Sequence, residues 1–112
     1  MKYYIAGKMR GLKYYGFPEF DKAKAMLEAE GHDVISPADI DRESGTDPMT
    51  FPKDYDWDSI PDGFDFKECR RRDIEAIESC DGIYLLKNWS HSKGARAEHA
   101  YADWAEKEII FQ

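Results

Sequence analysis

The sequence predicts an α/β fold of the flavodoxin-like, Rossmann-like kind, a three-layer sandwich around a short parallel sheet of about four strands. Three observations predict it. Short, almost continuously apolar runs (KYYIA, GIYLLK, EIIF) alternate with amphipathic stretches of helical period, the pattern of strands covered on both faces. The stretch after the first run carries helix signals, Pro18 at its start and Gly31 at its stop. Finally, 112 residues of which 42% are hydrophobic and 14% aromatic suffice for one modest core and are too few for two, so residues 1–112 are expected to form a single domain.

Lys2 to Ala6 reads as a strand that runs into GKMRG, a turn with two glycines and two cations. Pro18 then opens a helix, PEFDKAKAMLEAEG, with Phe20, Ala23, Met26, Leu27 and Glu30 at helical spacing and Gly31 as its stop. HDVIS is a second strand, ended by Pro37. Residues 38–65 have no sustained period and are rich in Asp, Pro, Gly and aromatic side chains, which predicts a long ordered loop of the lid type. Phe66 to Cys80 reads as a helix, GIYLLK as a buried strand, Lys93 to Lys107 as the last helix and EIIF as a closing strand. No internal repeat or low-complexity tract is present. With the first and third strands adjacent at the centre, ligands are expected beyond the carboxyl ends of the strands. That brings GKMRG and NWSHSKGARAE together.

Charge narrows the function. Charged residues make up 35% of the chain, the formal net charge is −7 and the pI is near 4.9. The long-range field therefore repels polyanions, and no nucleic-acid polymer is expected as partner. A small anion stays admissible where a local cluster of donors outweighs the distant charge. No stretch approaches the ~20 apolar residues of a membrane span, and the apolar run in MKYYIAGKMRG is too short for a signal peptide. A cytoplasmic protein without a membrane partner is the expectation. Cys69 and Cys80 lie eleven residues apart on one predicted helix, roughly 16 Å along its axis, which fits buried thiols and not a disulfide. His32, His91 and His99 lack metal-ligand spacing. DYDWDSIPDGFD departs from a calcium loop with Ser59 at its sixth position and Asp65 at its twelfth, so no metal is expected.

Two carboxylates are oddly placed. On the last helix Ala97, Ala100, Tyr101, Trp104 and Ala105 form the apolar stripe, and Glu98 lies about 100° from Ala97 around the axis, at the border of the stripe in the first turn. It reads either as a helix-dipole carboxylate or as one that faces the crevice. On the Phe66–Cys80 helix the apolar positions are Phe66, Cys69, Ile74, Ala76, Ile77 and Cys80, and Asp73 projects from the middle of that face. It reads either as half of an ion pair with Arg70 or another arginine of RRRD, or as a group facing a polar pocket. Two carboxylates on one crevice are the equipment of nucleophilic glycosyl chemistry. In GKMRG, Gly7 and Gly11 let backbone N–H groups approach a phosphate or sugar while Lys8 and Arg10 supply charge; a plain glycine turn with solvated cations is the alternative. Tyr14, Tyr15, Phe17, Tyr55, Trp57 and Trp89 read as core or loop anchors, or as planes that sandwich a nucleobase.

The combination YIAGKMRG, RRDIEAIESCDGIYLL and WSHSKGARAEHAYA resembles the nucleoside 2-deoxyribosyltransferase superfamily, most closely an often phage-encoded branch whose members begin YIAG-x-M-x-G and carry GAR-x-EH. The match covers nearly the whole chain apart from the lid. The resemblance implies a flavodoxin-like fold in which Glu98 is the nucleophile that attacks C1′, expelling the base and leaving a glycosyl-enzyme. Asp73 matches the carboxylate that orients the sugar and assists catalysis. Tyr4 or Tyr3 stands where the family has a phenol near the nucleophile, and Gly7, Arg10 and Gly11 match the loop at the sugar or 5′-phosphate end. Six residues before the nucleophile the free-nucleoside transferases have an aspartate, whereas this chain has Ser92. That is similar to deoxynucleoside 5′-monophosphate N-hydrolases, where the serine contacts phosphate. With Lys8, Arg10, Gly94 and Arg96 nearby, the resemblance implies a nucleoside 5′-monophosphate with water as acceptor, Trp89 among the aromatics near the base, and no cofactor. The alternative is a non-catalytic nucleotide-binding or nucleotide-sensing module. The superfamily also implies a homodimer or higher homo-oligomer, in which the long aromatic segment gains burial.

Overall fold

The computed structural model describes residues Met1–Gln112. Four parallel strands form one sheet: β1 (Lys2–Ala6), β2 (Asp33–Ile35), β3 (Gly82–Leu85) and β4 (Glu108–Phe111), in the order β2-β1-β3-β4. β1 pairs with β3 through Tyr3–Gly82, Tyr4–Ile83, Ile5–Tyr84 and Ala6–Leu85. The four helices are α1 (Phe17–Ala29), α2 (Pro37–Glu43), α3 (Phe66–Ser79) and α4 (Lys93–Trp104). This strand order is that of flavodoxin-like proteins, with the reversal of direction between β1 and β3.

Strand alternation builds the layers. Tyr3 and Ile5 of β1, with Tyr84 and Leu86, face Phe17, Phe20, Ala23 and Leu27 of α1. Tyr4 and Ala6, with Ile83 and Leu85, face Ile77 of α3, Cys80, and Ala95 and Ala102 of α4. Each fully buried Ile, Leu or Phe contributes about 1.5–3 kcal/mol, so two small cores share one central sheet.

Several sequence expectations are corrected. The segment 38–65 is not loop throughout: Pro37–Glu43 is α2 and Pro48–Thr50 a single 3₁₀ turn. The Ser36 side chain accepts from Ala38 N as N-cap and Pro37 holds the first helical position, a start signal hidden by the reading of Pro37 as a strand terminator. β2 is only Asp33–Ile35. In α1 the buried face uses Phe17, while Met26 is 42% exposed. In α3, Phe66 is exposed and Cys69 only partly buried, so Cys80 alone is a buried thiol.

The correction in α4 matters most. Ala97 and Ala100 are exposed, and Trp104 is 80% exposed. The buried positions are Ala95 and Ala102, with Glu98 on the same line at spacing i, i+3, i+7. An alanine-rich helix carries two stripes of equal sequence quality. The sheet selects the one whose small side chains permit close approach to Tyr4, Ile83 and Leu85. Glu98 is therefore central to the buried face and not at its border.

The remainder of 44–65 is tied down. Gly11 N donates to Trp57 O at 2.8 Å, Arg10 Nε to Asp58 O at 2.8 Å, and Tyr15 OH to Ser59 O at 2.7 Å. Tyr15, Phe51, Tyr55 and Trp57 form one edge-packed and stacked aromatic group. Seating Tyr15 there requires Tyr14 and Tyr15 at φ 53° and 52°, left-handed conformations that cost about 1–2 kcal/mol each. The aromatic burial offsets that strain.

Because Ile77 is fully buried and Met26 is not, Ile77→Ala is expected to lower unfolding free energy by about 2–5 kcal/mol, and Met26→Ala by no more than ~0.5 kcal/mol. Urea titration of the two variants against the parent chain measures both.

Candidate active site

A cavity of about 370 Å³ opens at the carboxyl ends of β1 and β3, where the strand order makes the crevice. Its floor is Tyr4 at the middle of β1 and Gly7 just beyond the end of that strand. A Cβ on Gly7 would come within 2.5 Å of the Leu86 side chain, so glycine lets the two strand ends run close together. One wall is the first turn of α4, with Ser92, Gly94, Ala95, Ala97 and Glu98; the opposite wall is α3, with Phe66, Cys69, Arg70, Asp73 and Ile74. Ser59, Ile60, Pro61 and Phe64 line it from the segment between α2 and α3, and Asp41 and Thr46 line both it and a second hollow.

The centre of the site is one hydrogen bond. Tyr4, fully buried, donates its hydroxyl to Glu98 Oε2 at 2.5 Å, a short bond that favours a charged acceptor. The same hydroxyl also favours the charged form of Asp73. Burial, then the neighbouring Glu98 and Asp73 charges, push the Tyr4 phenol well above its ordinary range, so it acts as a donor and keeps its proton. Burial, then Asp73, push Glu98 up to about 8; burial, then Asp41, push Asp73 up to about 7. Burial holds Asp41 at about 6 against the lowering influence of Arg72. Three carboxylates thus share a poorly hydrated hollow and cannot all be ionised together. The Tyr4 hydroxyl is the one neighbour that favours the charged form of Glu98, against burial and the Asp73 charge.

The ion-pair alternative for Asp73 is not realised. Arg71 pairs with Glu68 and Glu75, Arg72 approaches Asp41 at 3.6 Å, and Arg70 makes no ion pair although it lines the cavity. Glu98 and Asp73 have no cationic partner. Cations sit instead at the cavity edge as Arg10 and Arg70. At the α4 N-terminus Ser92 Oγ accepts from Ala95 N at 3.1 Å, and the N–H groups of Lys93 and Gly94 have no partner within the chain. A Cβ at Gly94 would meet nothing nearer than Ser92 Oγ at 3.9 Å. Unpaired N–H groups at a helix start, with an open glycine, are an anion-binding arrangement.

Of the residues singled out from sequence, Tyr4, Gly7, Arg10, Asp73, Ser92, Gly94 and Glu98 line this one cavity. Lys8, Gly11, Trp89 and Arg96 do not. Lys8 gives its backbone N–H to Asn88 Oδ1, Gly11 holds the turn at φ 87° against Asp58, and Arg96 binds Ser90 O. Trp89 packs on His99 and Phe111 away from the opening. Tyr3 points to the opposite face of the sheet and bonds Glu108, which leaves Tyr4 as the phenol at Glu98. Sequence reasoning missed Asp41 because α2 was missed; the Ser-Pro cap was the available signal.

The raised carboxyls fix a pH dependence. Their unfolded forms ionise from about pH 4 upward while the folded ones hold protons until about 6 to 8, so the folded state binds more protons in between and stability falls as pH rises through that window. The ligand-free protein is expected to lose melting temperature steadily from about pH 4 to about pH 8. Glu98→Gln should flatten that slope and melt higher at the alkaline end, as differential scanning fluorimetry across a buffer series will record.

Comparison with known proteins agrees with the fold. A solved structure of a 2-desoxiribosyltransferase from Leishmania mexicana superposes with a TM-score of 0.66 at 17% identity, covering 98% of this chain and 62% of that one. A 2-deoxyribosyltransferase from the psychrotolerant bacterium Bacillus psychrosaccharolyticus superposes with a TM-score of 0.65 at 21% identity, covering 99% of this chain and 71% of that one. The chain thus spans less than two thirds of the length of the first. No curated protein sequence matches it. Residues 1–111 match a family described as Domain of unknown function (DUF4406), and the chain belongs to that family.

Proposed function

We propose that the protein cleaves or transfers the N-glycosidic bond of a nucleoside 5′-monophosphate, with Glu98 as nucleophile. The observation that carries this reading is the Tyr4–Glu98 hydrogen bond beside Asp73 on an open cavity, with no cation paired to either carboxylate. A cavity of this volume is in the small-molecule range of about 300–1,000 Å³. The fold shared with two 2-deoxyribosyltransferases supports the same reaction class.

In this reading Glu98 attacks C1′ of the sugar, the bond from C1′ to the base nitrogen breaks, and a glycosyl ester remains on Glu98. Tyr4 holds the nucleophile in place and Asp73 accepts sugar hydroxyls. Arg10, Ser92 and the free N–H groups at the start of α4 receive the 5′-phosphate. An overall charge of −7 makes this local cluster of donors the feature that admits an anion. The aromatic segment over the opening acts as the cover that keeps bulk water from the ester, and water admitted after base departure completes hydrolysis.

A binding-only module uses the same cavity but needs no nucleophile. Incubation with the common ribo- and deoxyribonucleoside 5′-monophosphates, followed by chromatography, is expected to release free base. Glu98→Ala should reduce that release by at least about 10³-fold while folding normally. Thermal stabilisation by a nucleotide without product, unchanged in Glu98→Gln, would instead select the binding module.

The exposed line Ala97, Ala100 and Trp104 adjoins the cavity mouth through Ala97, and its self-complementary, small-and-large profile suits a second copy of this chain in a homo-oligomer. Trp104→Glu is expected to reduce a dimer or larger assembly to monomer in light scattering. A wild-type chain that already elutes as monomer contradicts this part of the proposal.

A further inference from the structure

We propose that Asp41 is the acid that delivers a proton to the departing base, an assignment that rests on the glycosidic reading of the cavity. A nucleobase leaves C1′ as an anion unless it is protonated, so a group able to give up a proton must stand beyond the sugar. Among the groups lining the cavity, Tyr4 spends its proton on Glu98. Arg10 and Arg70 do not release protons at neutral pH. Asp73 lies beside Glu98, and the Tyr4 hydroxyl favours the charged form of both.

Asp41 stands apart from these. It sits at the end of the cavity formed with Thr46, Pro61, Phe64 and Cys69, where a second hollow begins. Its charge is felt at Asp73, Cys69 and Tyr4, whereas Glu98 feels Asp73 alone; Asp41 is therefore farther from the nucleophile than Asp73 is. Along α3, Cys69 precedes Asp73 by one turn, so the order through the cavity is α4 N-terminus, Glu98 with Asp73, then Asp41. That is the order of phosphate, sugar and base in a nucleotide. Ile60, Pro61 and Phe64 give the Asp41 end apolar walls suited to a flat ring.

Asp41 is also free to act. Its carboxyl makes no hydrogen bond, and its single charged partner is Arg72 Nη2 at 3.6 Å. Arg72 is held by Cys69 Sγ and Ser44 Oγ, and its Nε is buried without a partner. Burial pushes the Asp41 carboxyl up to about 6, and the Arg72 guanidinium stands beside the carboxylate left when it gives up its proton, as a general acid requires.

The step balances. As Glu98 Oε forms its bond to C1′, the electron pair of the C1′–N bond moves onto the base, the Asp41 O–H bond breaks and its proton goes to a ring nitrogen. The products are a neutral base, a glycosyl ester and an Asp41 carboxylate beside Arg72. Water then adds at C1′, the ester oxygen leaves with its electron pair to restore the Glu98 carboxylate, and the proton of the water returns to Asp41.

The test compares 2′-deoxyguanosine 5′-monophosphate with its N7-methyl derivative, whose base already carries positive charge and leaves without a proton. Asp41→Asn is expected to slow base release from the unmodified nucleotide by about 10²-fold or more, while cleaving the methylated one within about threefold of wild type, which also shows that the variant is folded. Equal losses on both nucleotides, or no loss on either, overturn the assignment and leave the glycosidic reading standing. So does a wild type that cleaves only the methylated nucleotide, because no acid is then at work. A wild type silent on both and on the rest of the nucleotide panel removes the glycosidic reading itself.

Discussion

The Tyr4–Glu98 hydrogen bond is the constraint on which the site depends. It joins the most buried strand to the first turns of α4 and fixes a carboxylate at a depth where water cannot solvate it fully. A carboxylate placed there without a donor would be strongly disfavoured; one O–H directed at it reduces that cost. The position of α4 follows from the same contact. Only a face of small residues, Ala95 and Ala102, lets the helix lie close enough to the sheet for Glu98 to reach Tyr4.

Around that bond the molecule accepts unfavourable electrostatics. Three carboxyls are held above their ordinary range in one hollow; Arg72 approaches Asp41 at 3.6 Å, while Arg71 is directed to Glu68 and Glu75, and Arg10 to the main chain of Asp58. Burial without pairing is expensive for stability and useful for chemistry, because a group that titrates near neutral pH can both give and take a proton. The left-handed Tyr14 and Tyr15 are a second local cost at the same end of the sheet, sustained by the aromatic group that seats the cover.

The segment between α2 and α3 links these features. It is anchored at Gly11, Arg10 and Tyr15, so whatever moves the GKMRG turn also moves Ser59 to Phe64 above the cavity. A ligand that engages Arg10 competes directly with the Asp58 carbonyl. The turn and the cover are thereby coupled through one side chain.

The sequence by itself determined the architecture. Continuous apolar strands, helix spacing and helix start and stop residues specify a parallel sheet with helices on both faces, because those signals are local and periodic. It also placed Glu98 and Asp73 as carboxylates out of keeping with their helices. Tertiary structure alone decided what surrounds them. Two equivalent stripes on α4 are indistinguishable until the sheet selects one, and this moved Glu98 from the edge to the centre of the buried face while leaving Trp104 in solvent. Whether Asp73 pairs with an arginine depends on side-chain reach around α3, which spacing cannot give, and the fold pairs Arg71 with Glu68 and Arg72 with Asp41 instead. Asp41 enters the cavity only because Ser36 caps a helix that periodicity over seven residues is too short to announce. Local pattern fixes elements; the meeting of side chains remote in sequence is fixed by packing.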